Sequence, residues 1–369
     1  MNYLKIFALF SAIALHSCVS ADEDPVPAPP ITGSVVEVKV GGATEPNQVW
    51  IDLSDYEKPS VNKRTDWDLG FYTGDGFHVV INSSLAMTVA KIPNKTDIKA
   101  VTETDVAALK GSIMVGTFDP ANMQYIDHPN GNFLTQTSGI EPIKENDAEN
   151  PVYLLNLGRD IPSSDNIGPG SVSLSGTARG WKKIQIFRAL NGYKIRYADV
   201  GNTTSYSEYF VPKDTDYNFT FFSFNVGAPV KIQPKKKSWD LGFTTFTNEV
   251  FTAPGVSAGS YFFADFVVTN TLNGVGVYQV TAAGNLDQAY NSFKLGDVDQ
   301  SKFVFSDQRA LGDKWRTTTG TTDNPQPHVY ADRFFVVKDT EGFYFKLRFN
   351  TMKSEDGHRG TTNFEFDPL

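Results

Sequence analysis

One cysteine stands in the 369 residues, at Cys18. A disulfide needs two, so no intrachain bridge can form. Cysteine-based zinc sites and iron–sulfur clusters need several thiolates and are excluded as well. Positive charge is also scarce. With 33 Lys and Arg against 42 Asp and Glu, the formal net charge is -9. That balance does not fit a nucleic-acid partner, whose phosphates call for a basic surface. After the first residues no apolar run approaches the ~20 residues that a membrane-spanning helix needs. The rest of the chain is therefore expected to be water-soluble.

What is plentiful is aromatic. There are 28 Phe and 15 Tyr, and aromatics make up 13% of the residues. Such side chains fill pleated, half-buried surfaces, so strands are expected throughout. The length fits roughly two domains of ~150 residues.

The first residues read MNYLKIFALFSAIALHSC. Lys5 supplies a positive start, and Ile6 to Leu15 is an apolar run too short to span a bilayer. Leu15-His16-Ser17-Cys18 resembles a lipobox, with Leu three positions and a small residue one position before Cys. Residues 1–17 are read as a lipoprotein signal peptide, and Cys18 as the lipidation site. The alternative is an ordinary secretory signal with an accidental Cys. Residues 18–33 carry Asp22-Glu23-Asp24 and four prolines. Such a stretch cannot pack a core and reads as an extended tether. Its acidic cluster resembles surface-export signals of Bacteroidetes lipoproteins; the plain reading is a solvated linker.

The remainder contains a repeat. KRTDWDLGF at 63–71 is matched by KKKSWDLGF at 235–243, and the two tryptophans are 172 residues apart. An alternating aromatic strand with a polar turn precedes each copy, at 49–61 and 219–231. A short helix follows each, at 104–111 and 286–293, with Asp105 or Asp287 near its first turn. Each copy closes on a hairpin, 180–200 and 331–351, turned at Asn-Gly or Glu-Gly. Two β-rich domains are placed at 34–214 and 215–369. The first also carries a Ser/Gly/Pro-rich loop at 159–179, which is either a functional lid or a disordered insertion. Within the repeated motif, Trp67, Leu69 and Phe71 alternate, so one buried strand face is expected, with Asp68 and Gly70 on the other. Trp239, Asp240 and Phe243 repeat the pattern. The adopted reading is a structural core strand, seen twice through duplication.

The Trp-Asp-hydrophobic-small-Phe strand after a polar turn resembles the hallmark of the HmuY-type family, heme-binding outer-membrane lipoproteins of Bacteroidetes. The closing stretch 334–369 is similar to that family's last hairpin and strand. The likeness covers most of the second domain and is weaker in the first. It implies an all-β fold of two tandem antiparallel domains with one short helix each. It also implies heme as ligand, iron acquisition as purpose, and transfer to an outer-membrane receptor, of the TonB-dependent kind, as partner. In that family iron is held by His or Met side chains on loops.

This sequence departs from a two-His pattern. The stretch 294–333 holds His328 and no Met. The stretch 112–158 holds Met114, Met123 and His128, a chemically better set for heme iron. Each has a plain reading: the methionines as core filler, and His128 as a turn residue in Asp-His-Pro-Asn-Gly. Tyr125 and Phe133 would line such a site. His78 reads as structural, His358 as an exposed hairpin residue, and Lys235 to Lys237 as a solvated turn.

No enzyme is expected. Gly255-Val256-Ser257-Ala258-Gly259 matches G-x-S-x-G, but a nucleophile elbow needs a helix after it, and Tyr261-Phe262-Phe263 follows instead. Asp297 and Asp299 lack the Gly and Glu of a calcium loop. Two function classes remain: a heme- or tetrapyrrole-binding lipoprotein, or a non-enzymatic surface binding or scaffold lipoprotein of the same fold without heme.

Overall fold

The computed structural model describes residues 32–136 and 138–369. The signal peptide, Cys18 and the tether up to residue 31 lie outside the described residues. Among those described, no helix is long and apolar enough to cross a membrane.

Strands dominate, and every pairing between them is antiparallel. The α-helices Glu103–Ser112 and Leu286–Ser292 fall where the sequence placed one short helix per repeat. Thr102 and Asp105 form a capping box at the first, and the Asn285 side chain caps the second. Both closing hairpins form. Trp181–Ala189 pairs with Gly192–Asp199 around Asn191, whose φ of 59° an Asn tolerates. Arg333–Lys338 pairs with Tyr344–Lys353. The fold is all-β, as expected.

The sheets divide the chain in a different frame from the repeat. One lobe is continuous. Its five-stranded sheet runs Ser207–Pro212, Gly192–Asp199, Trp181–Ala189, Val152–Asn156, Thr88–Lys91. Its four-stranded sheet runs Ala228–Val230, Phe219–Ser223, Leu69–Tyr72, Val79–Ile81. Leu69, Phe71, Ile81, Leu155, Ile186 and Phe222 pack between these sheets. The second lobe joins the two ends of the described chain. Ser34–Val38 lies beside the last strand, Arg359–Pro368, in a five-stranded sheet. Asn47–Ile51 and Ser60–Lys63 complete a four-stranded sheet with Leu241–Ala253 and Val256–Thr269. Each helix covers the outer face of a five-stranded sheet, with Val106 and Tyr290 buried against it.

The repeated motif occupies matching places. Gly70 sits opposite Phe221, and Gly242 opposite Trp50. A Cβ on Gly242 would stand 2.6 Å from the Trp50 ring, and one on Gly70 2.9 Å from Val80. Glycine is required by this close approach. One expectation is corrected. Trp67 does not share a face with Leu69 and Phe71: the strand begins at Leu69, after a bend at Asp68. Leu69 and Phe71 enter the lobe core, whereas Trp67 joins a separate aromatic cluster with Trp50, Phe221 and Trp239. There Trp67 meets Phe221 edge-on at 4.7 Å, and Trp50 meets Trp239 at 4.9 Å. Phe243 faces the other way and stacks on Phe364.

Candidate functional site

The motif aspartates are buried and act as ties. Asp68 accepts the Phe224 N–H at 2.7 Å and Arg179 Nη1 at 2.8 Å. Asp240 accepts the Leu53 N–H at 2.9 Å and the Thr340 N–H at 3.1 Å. Burial raises both carboxyls above the ordinary range, and Asp240, with Asp52 and Asp339 nearby and no arginine on it, is pushed up to about 8. These residues hold loops in place and have a structural role.

The largest described cavity has a volume of about 860 Å³. Met114, Trp181 and the run Tyr261-Phe262-Phe263 line it, as do Arg159, Arg316 and Arg359. The loop 159–179 supplies another wall through Val172 to Gly176. That loop is pinned: Ser173 N–H donates to the Ala43 carbonyl, Gly170 N–H to Gly357, and the Leu174 carbonyl accepts Arg64 Nη2 at 2.6 Å.

Below the wall lies a cluster of buried charge. Arg359 binds Asp265 through Nε and Nη2. The Asp265 N–H donates to both Glu45 carboxyl oxygens, at 3.0 and 3.1 Å. Burial first, then the Asp265 charge, raises the Glu45 carboxyl well above its usual range. Arg316 donates to the Ala264 carbonyl, and its Nε has no partner. Arg316 and Arg359 are thus buried and engaged, Arg359 with Asp265 and Arg316 with the Ala264 carbonyl and, at 3.8 Å, Asp313, whereas Arg159 is exposed; among the described residues no carboxylate lines the cavity.

A second, smaller cavity of about 120 Å³ lies at the aromatic cluster and shares no lining residue with the first. His128, Phe133, Trp50, Trp67 and Trp239 are on its wall. Asp127, beside His128, is half-buried and its carboxyl is raised to about 6 by desolvation, while the Ile81 N–H and the Ser138 hydroxyl donate to it.

The candidate iron ligands thus separate. Met114, largely exposed, lines the large cavity; His128 lines the small one. Met123, half-buried in the 3-10 turn Pro120–Tyr125, lines neither. Tyr125 packs near the first helix, away from Phe133. His78 sits between Tyr72 and Phe133. His328 pairs Thr317 in a two-residue bridge, and His358 is exposed in a turn. The G-x-S-x-G stretch forms the turn and first residues of the hairpin between Leu241–Ala253 and Val256–Thr269, so no strand-to-helix elbow exists there. The three arginines escaped the sequence reading. Each stands alone in the chain, and no local signal marks it.

The sequence model of the HmuY protein family matches residues 44–207 and 215–366. The chain belongs to that family. A crystal structure of a candidate lipoprotein from Bacteroides fragilis is similar at 12% identity, covering 56% of this chain and 96% of that one, with a TM-score of 0.20. No curated protein matches the chain.

Proposed function

We propose that this protein is a surface-exposed outer-membrane lipoprotein, anchored through Cys18, that binds heme or a related tetrapyrrole for iron acquisition. Transfer to a TonB-dependent receptor follows from the same reading. The observation that carries it is the large cavity. Its volume of about 860 Å³ falls within the range of roughly 300–1,000 Å³ seen for ligand sites. Trp181 and Phe263 offer apolar surface to a macrocycle, and the exposed Arg159 offers charge to a propionate. The Met114 thioether is a proper ligand for heme iron. Bound heme would supply the metal centre; the chain would supply the cavity walls, counter-charge from Arg159 and a thioether donor from Met114. Of the three ligand candidates, this geometry favours Met114 over His128 and Met123. Titration of hemin tests the proposal. A saturating Soret shift at one hemin per chain is expected, and the absence of any shift contradicts it.

One observation favours the second reading, a surface binding protein without heme. Among the described residues no histidine lines the large cavity, so Met114 would be its one candidate iron ligand. An anionic, aromatic ligand other than heme would use the same Arg159 and aromatic wall.

A further inference from the structure

The smaller cavity carries an inference independent of the heme reading. Its wall belongs to the two halves of a near-repeat, and the halves differ in how their polar atoms are satisfied. On one side the polar groups form a closed chain. Trp50 Nε1 donates to Asn62 Oδ1 at 2.8 Å. Asn62 Nδ2 donates to Gln48 Oε1 at 3.0 Å, and Trp67 Nε1 donates to the same oxygen at 2.8 Å. Gln48 Nε2 ends the chain on Thr244 Oγ1.

The other side breaks the pattern. Register places Phe221 where Trp50 stands, and Phe219 where Gln48 stands. Phenylalanine offers no acceptor, so the indole of Trp239, the counterpart of Trp67, lacks its partner. Trp239 is 4% exposed, and its Nε1 is buried without a hydrogen bond. Gln233 Oε1 is also buried without one. Both residues line the same cavity. A buried polar atom left unpaired is disfavoured and calls for a partner. Here one orphan is a donor and the other an acceptor.

We propose that this cavity is a second binding site, for a small neutral ring compound carrying a hydroxyl or amide. Such a group accepts from Trp239 Nε1 and donates to Gln233 Oε1, while Trp50, Phe221 and Phe246 enclose the ring. The volume suits that class: about 120 Å³ here, against roughly 150 Å³ for an apolar cavity that takes benzene. Among the described residues neither lysine nor arginine lines it, and the Asp127 carboxyl does, so an anion is not its ligand.

Phenol and toluene are the probes, titrated by calorimetry into residues 32–369, a single compact unit with its sheets complete. Phenol should bind at one site and at least fivefold more tightly than toluene. Trp239→Phe and Gln233→Leu should each weaken phenol about five- to tenfold, the worth of one neutral hydrogen bond, with no matching loss for toluene. Circular dichroism checks that each variant is folded, and Gln233→Leu carries the test should Trp239→Phe fail. The site is refuted if phenol shows no saturable binding, or binds no better than toluene. It is equally refuted if either folded variant binds phenol as the parent does; ordered water then satisfies both atoms.

Discussion

Asp240 accepts the backbone N–H of Leu53 across 187 residues of sequence, in a site that excludes water. The same arrangement ties Asp68 to Phe224 in the other lobe. Burial raises Asp240 from its ordinary value of 3.8 to about 8. Between those values the folded protein holds a proton that the unfolded chain has released. The resulting stability is present below pH 4 and is lost as pH rises through about 8. One proton sets the limiting slope at about 1.4 kcal/mol per pH unit. Urea unfolding at pH 5 and pH 9 should show the parent losing stability as pH rises. Asp240→Asn, which cannot ionise, should lose clearly less over the same interval. An equal loss in both proteins would contradict the ionisation argument.

Asp68 differs in having Arg179 as a buried partner, with the side chains 0% and 5% exposed. Removing one member leaves the other charged and desolvated. Asp68→Ala should therefore cost about 3–5 kcal/mol in denaturant unfolding. Replacing both, as Asp68→Ala with Arg179→Met, should recover most of that loss. If the double variant is as unstable as the single one, the cost comes from the Phe224 tie.

The lobes predict which pieces of the chain fold. A fragment of residues 34–214 lacks Phe219–Ser223, the strand beside Leu69–Tyr72. It also carries Asn47–Ile51 without its partner strand Leu241–Ala253. A fragment of residues 64–232 keeps both sheets of the continuous lobe. Near-ultraviolet circular dichroism should show fixed aromatic packing in the 64–232 fragment and little in the 34–214 fragment. The opposite result would overturn the lobe frame.

Much of this fold was legible in the sequence, for reasons that particular residues make plain. The aromatic alternation marked strands, Asn191-Gly192 marked a hairpin, and Asp105 marked a helix start, because each acts through near neighbours. The strand partners were not legible. Alternation shows which face of a strand is buried and says nothing of which strand lies alongside. Nothing in Ser34–Val38 announces that it pairs with Arg359–Pro368. Trp67 broke the expected face because the backbone bends at Asp68 for a tie to Phe224, which lies far along the chain. Of the candidate site, Met114 was readable from its chemistry alone. Arg316 and Arg359 meet it only through folding, so composition could not select them.

Cys18 lies outside the described residues, and its role rests on the Leu15-His16-Ser17-Cys18 sequence. Cys18→Ala should move the protein from the detergent-extracted outer-membrane fraction to the soluble one. Metabolic labelling with a fatty acid should mark the parent and leave the variant unlabelled. Labelling of the variant would refute the anchor.

The most direct test of the account is a hemin titration followed by absorbance in the parent, Met114→Ala and His128→Ala. The parent should give a saturating Soret shift at one hemin per chain. Met114→Ala should shift the Soret maximum and weaken binding about tenfold or more, since it removes the one thioether that lines the large cavity among the described residues. His128→Ala, on the smaller cavity, should titrate as the parent does. Binding lost with His128 and untouched by Met114→Ala would contradict the placement, and no Soret shift in the parent would contradict heme binding itself.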